Sequence, residues 1–167
     1  MKEKLWLFIV KFILGSVLLF ALWYFTGALE RRGTYQEPGW YLMFLNQVMS
    51  FLLIKVAGLN IQYFPVPKPV LLNLIPFVSL MIITSEIKLK TRLYKLTLGL
   101  LILIGWHVVL TMAVYLLHEG YQITSQAYEK LSVPLYLFSE TLPFLLWILF
   151  ARKQVAGLFL RPKKPTQ

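Results

Sequence analysis

Cysteine is absent from the 167 residues, which excludes disulfides, thiolate catalysis and every cysteine-based metal site. Acidic side chains are scarce, seven against 17 lysines and arginines, and charged residues together make up 14% of the chain. An average soluble domain carries about 25%. No G-x-S-x-G, Walker loop, H-E-x-x-H or dinucleotide fingerprint occurs, so no catalytic, cofactor or metal site is expected. No Ser/Gly-rich or charged linker divides the chain either, and residues 1–167 read as one membrane domain.

What is present is oil: 58% of residues are hydrophobic and the mean hydropathy is +0.67. Two apolar runs, Val70–Thr84 and Leu96–Leu117, flank a basic turn, Ser85–Lys95, with Lys88, Lys90, Arg92 and Lys95 against the single acid Glu86. The second run has 22 residues without a formal charge. That is about 33 Å of helix, enough to cross a bilayer core. Backbone in hydrocarbon must satisfy its own hydrogen bonds, so the runs are predicted to be helices. The net charge of +10 sits mainly at the ends of apolar runs, where it sets topology and meets anionic headgroups. A bilayer is therefore the expected partner, and nucleic acid is not.

Counting outward from the hairpin predicts spans at 5–29, 69–87, 96–117 and 133–151. The first is read as an uncleaved span, because no small-x-small cleavage site follows it. Segment 41–59 carries Asn46, Gln47 and Ser50 on one helical face and is expected to be an outer amphipathic or re-entrant helix. Asn60–Pro69 has three prolines, which excludes helix, and Ile61–Val66 is predicted to be extended or hairpin-like. Residues 161–167 are expected to be a disordered basic tail. The fold class is thus an all-α integral membrane protein with four transmembrane helices, or five if 41–59 also spans. The basic turn and the C-terminus are placed on the cytoplasmic side.

Few polar groups fall within the spans. Asn73, His107 and Glu140 form the candidate intramembrane cluster, with Glu140 expected to reach His107 across a helix contact. Such residues are expensive in a membrane and are either functional or helix-joining; the sequence leaves both readings open. Ser79 is expected to bond back to the carbonyl of Ile75 beside a kink at Pro76. Trp106 is read as packing.

From Leu45 to Leu80 the order of features resembles the exosortase/archaeosortase family of membrane transpeptidase-like proteins. In LLIKVAGLNIQYFPVPKPVLLNLIPFVSLMII, a helix ends at Ala57, Gly58 and Leu59, an extended piece follows, and a new helix starts. Ser79 and Leu80 match the family's Ser-Leu, which puts its nucleophile near Leu74, with Ile75 and Pro76 in place of Ser-Gly. The cysteine is missing, the family's arginine falls near Leu110 in a helix without arginine, His107 stands in place of an Asn, and only His118 is available as a third partner. The resemblance implies a relative that keeps the scaffold without the reaction, similar to the membrane proteins associated with exosortase H. It implies a non-enzymatic accessory protein of the bacterial inner membrane, binding a sorting enzyme or a substrate's transmembrane tail. The rival expectation is an ion- or proton-coupled carrier subunit using Glu140 and His107. An intramembrane hydrolase built on Ser79 and His107 has no third group to orient the histidine.

Overall fold

The computed structural model describes residues 2–28, 39–56, 58, 72–115 and 125–159. Among them every regular element is helical: α1 (Lys2–Phe25), α2 (Trp40–Ser50), a π-helical continuation (Phe51–Val56), α3 (Leu74–Ile83), α4 (Leu89–Tyr115), α5 (Ser125–Phe150) and α6 (Arg152–Phe159). Three of these contain stretches long and apolar enough to cross a membrane: Leu5–Phe25, Leu89–Tyr115 and Lys130–Phe150. The chain has the make-up of a helical membrane protein.

The expected span 69–87 is different. Among the described residues its helix is α3, ten residues long, or about 15 Å, half a bilayer core. Six of the ten are buried, and α1, α4 and α5 all pack on it. Its brevity has local causes. Thr84 leaves helical geometry at ψ 69°, its hydroxyl donating to the carbonyl of Leu80, and Ser85 N–H turns back onto Ile83. At the other end Pro76 is the third helical residue, where no intrahelical amide bond is lost, so it does not make the expected mid-helix kink.

Two helices begin earlier than their apolar runs. Helix α4 starts at Leu89, so Lys90, Arg92 and Lys95 lie on its first turns, and the connection itself is only Thr84–Lys88. Helix α5 starts at Ser125 rather than 133, which makes Pro134 as well as Pro143 interior. Polar helical turns project past the apolar stretch at each of these ends. The chain after α5 also stays helical, through α6. Within the expected segment 41–59, α2 and its π turn run to Val56, with Tyr41, Leu45, Met49 and Leu53 buried at every fourth position. That spacing drifts around an α-helix, and the wider π turn brings Leu53 back into line. The extended piece expected at 61–66 and the tail expected at 161–167 lie outside the described residues.

Small residues set the helix spacing. Gly15 of α1 faces Ser79, with space for nothing larger: an added Cβ would sit 2.8 Å from Ser79 Oγ. Ser79 Oγ donates to the carbonyl of Phe12 (3.2 Å), across helices, not to Ile75 as the sequence suggested. The close approach of α1 and α3 is what makes that carbonyl reachable. Gly99 of α4 lies against the Phe77 ring, where a Cβ would overlap it. Helix α1 ends in a Schellman motif: Gly27 adopts φ 65°, its N–H meets Tyr24 O, and Ala28 N–H meets Trp23 O. Gly39 then packs directly on the Gly27–Ala28 backbone, and Tyr41 N–H donates to Ala28 O (3.0 Å).

At the end of the bundle formed by the Thr84–Lys88 connection (the hinge), Phe8 stacks on Trp147 (centroids 5.5 Å apart), and Trp147 Nε1 donates to Thr84 Oγ1 (3.0 Å). The first turns of α1 therefore lie at the same end of the bundle as the Thr84–Lys88 connection and the α5–α6 corner.

Candidate functional site

Among the described residues, four helices bring a hydrogen-bonded chain of polar side chains into the interior. Tyr41 comes from the first turn of α2, Asn73 from the N-cap of α3, His107 from α4 and Ser139 from α5. All four are buried. Tyr41 Oη lies 2.7 Å from His107 Nδ1, and His107 Nε2 lies 2.8 Å from Asn73 Oδ1. Asn73 Nδ2 donates to Ser139 O (3.0 Å) and reaches Ser139 Oγ (3.1 Å).

The direction of every proton follows from one acceptor. The main-chain oxygen of Ser139 can only accept, so the Asn73 amide nitrogen must face it and Oδ1 must face His107. His107 Nε2 then carries the hydrogen. Nδ1 of the neutral ring is an acceptor, and Tyr41 O–H donates to it. With neutral His107 each bond has one donor and one acceptor. Protonation would put hydrogens on both ring nitrogens and force the Tyr41 hydroxyl to turn and find another acceptor.

The Ser139 carbonyl is open to Asn73 because of a proline. In a regular helix it would accept from the N–H of residue 143, but that residue is Pro143, which has none. Pro143 is fully buried. Asn73 meanwhile makes no side-chain cap of its own helix, and its amide joins α4 to α5. Thr111 Oγ1 donates to the His107 carbonyl (2.7 Å), a bond within α4 one turn on.

Of the expected cluster, Asn73 and His107 are brought together and Glu140 is not. Glu140 is exposed on the outer face of α5 beside Leu137 and Phe144, one turn away on either side and also exposed. It stands ten residues from either end of Lys130–Phe150, about 15 Å each way, at the middle of the apolar stretch. Among the described residues it has no hydrogen-bond or ion-pair partner. Tyr41 and Ser139 complete the cluster and were missed by sequence reasoning. Tyr41 looks like an interfacial aromatic beside Trp40, and its burial follows from Gly39 seating α2 on the end of α1.

The basic residues of the hinge also have specific bonds. Arg92 Nη1 donates to Ile82 O (3.0 Å) at the end of α3, and Lys95 Nζ donates to Phe150 O at the end of α5. Each places a cation on the negative pole of a helix and satisfies a carbonyl that has no intrahelical partner. Lys88 and Lys90 are exposed. Trp106 packs edge-on against Phe138 at 4.9 Å, joining α4 to α5. His118 lies outside the described residues. Among the described residues no three His, Asp or Glu side chains converge as metal ligands would.

No protein-family model, curated protein or solved structure matches this chain.

Proposed function

We propose that this protein is a non-catalytic membrane subunit that binds another integral membrane protein within the bilayer, through the α5 face that carries Glu140. The observation that carries the reading is the exposed carboxyl at the middle of an apolar helix. An ionisable group in a span is expensive to insert and almost always faces the bundle interior, a water-filled cavity or a partner. Here the Tyr41–His107–Asn73–Ser139 cluster is satisfied by its own hydrogen bonds, and Glu140 is exposed on the outer face of α5. A helix with a cation or hydrogen-bond donor at mid-depth would complete it.

In this reading the hinge end of the bundle faces the cytoplasm, α1 starts there, α3 enters as a half-height helix, and α2 lies toward the opposite leaflet. The inner membrane of a bacterium is the setting the exosortase-like order of features suggests. That order makes a sorting enzyme, or the transmembrane tail of its substrate, the first partner to test. A carrier using Glu140 and His107 is favoured less: His107 has both ring nitrogens engaged by Tyr41 and Asn73, and Glu140 lies on the outer face.

The test is co-purification after gentle detergent extraction, comparing wild type with Glu140→Leu. A membrane protein recovered with wild type and reduced at least about tenfold with the variant is the expected outcome, given the cost of leaving a partner's buried charge unpaired. Wild type that is consistently recovered alone contradicts the proposal.

A further inference from the structure

At the hinge end, the Thr84–Lys88 connection and the α5–α6 corner line a cleft of about 340 Å³. Lys88 and Lys95 line one wall, Arg152 and Lys153 the other, with Leu149 at its edge and Glu86 as the one acid. Lys95 is committed to the Phe150 carbonyl, whereas Lys88, Arg152 and Lys153 are exposed. Helices α4 and α6 both begin here, and neither has an acidic residue in its first turn. The carboxyl-terminal carbonyl of α5 at this end is met by Lys95, and the lining leaves Lys88, Arg152 and Lys153 with Glu86 as the one acid to offset them. Leu149, 65% exposed, continues the apolar outer face of α5 up to the mouth of the cleft.

We propose that this cleft binds the phosphate headgroup of an anionic phospholipid. Lys88, Arg152 and Lys153 meet the phosphate, and Leu149 lies against the first part of an acyl chain. A phosphate anion removes the repulsion among the cations, and basic pockets at the ends of spans are a recognised setting for such headgroups. Inorganic phosphate offers the same anion without the apolar part. The apolar edge is what favours the lipid.

The full-length protein in neutral detergent would be given short-chain phosphatidylglycerol, phosphatidylcholine of the same chain length, or inorganic phosphate. Native mass spectrometry counts retained lipid, and thermal unfolding reads protection. One retained phosphatidylglycerol per chain and a raised Tm are expected, with no retention of phosphatidylcholine and no protection by inorganic phosphate. Each cation removed should weaken binding about fivefold, so Arg152→Gln/Lys153→Gln should lose roughly 25-fold. Lys55→Gln/Lys130→Gln removes the same charge from exposed sites outside the cleft and should bind as wild type does. An unchanged helical signal for both variants keeps the comparison valid. Equal retention of the two lipids, or undiminished binding by Arg152→Gln/Lys153→Gln, overturns the proposal. Protection by inorganic phosphate equal to that by lipid overturns the headgroup assignment in favour of a free anion.

Discussion

Asn73 donates to the main-chain oxygen of Ser139, which is open to it because Pro143, four residues on, has no N–H to give. The carbonyl that Pro143 leaves free in α5 thereby becomes an acceptor for α3, and through Asn73 the acceptor orients His107 and Tyr41. The interior proline and the polar cluster are one device.

That dependence can be measured. Pro143→Ala supplies the missing amide and sets it in competition with Asn73 for the Ser139 carbonyl. Asn73→Leu should therefore cost less stability in the Pro143→Ala background than in wild type, with a coupling of about 0.5–3 kcal/mol in a double-mutant cycle. Unfolding in mixed detergent provides the readout. Strict additivity would mean that the two residues act separately.

His107→Leu and Tyr41→Phe should differ in size. An interhelical hydrogen bond in a membrane protein contributes only about 0.6 kcal/mol on average. Leaving a buried polar group without a partner costs more, about 1–3 kcal/mol each. Tyr41→Phe strands only His107 Nδ1. His107→Leu strands the Tyr41 hydroxyl and Asn73 Oδ1 together, and should cost roughly twice as much by the same unfolding measurement.

Much of this was readable from the sequence, and the limits have physical causes. The apolar runs located the cores of α1, α4 and α5, because hydrocarbon demands about 20 apolar helical residues. They did not give the ends of α4 and α5, since a helix continues past the apolar stretch wherever its polar turns find partners, as Arg92 and Lys95 do. Asn73 and His107 stood out because polar groups are rare in such runs. Which of them would meet depended on the rotation of each helix, which Gly15, Gly39 and Gly99 set by allowing close contact and which no periodicity in these nearly uniform helices reveals. Glu140 and Ser139 are adjacent in sequence, about 100° apart around the helix, and one is exposed while the other is buried. A register error of one residue exchanges an inner group for an outer one.

Two glycines in α4 should respond in opposite ways to alanine. At Gly99 the added methyl overlaps the Phe77 ring, and Gly99→Ala should lower stability by about 1–3 kcal/mol through overpacking. At Gly105 nothing lies within 4 Å of the new Cβ, and Gly105→Ala should raise stability by up to about 1 kcal/mol through helix propensity. Phe77→Leu should partly rescue Gly99→Ala and should not alter the effect at Gly105.

A cysteine-free chain makes the sidedness simple to probe. Glu86→Cys places one thiol in the exposed hinge connection. With the hinge on the cytoplasmic side, a membrane-impermeant maleimide should label it only after the cells are permeabilised. Labelling of intact cells would reverse the layout.

Partner binding through α5 is tested most directly by photo-crosslinking in the native membrane. A photoreactive residue at Leu137, exposed one turn from Glu140, is compared with one at Leu18 on the exposed face of α1. Docking at Glu140 predicts a discrete adduct with a second membrane protein from position 137, none of that size from position 18, and loss of the adduct when Glu140 is changed to Leu. Only lipid adducts from position 137, or a protein adduct that survives Glu140→Leu, would contradict it.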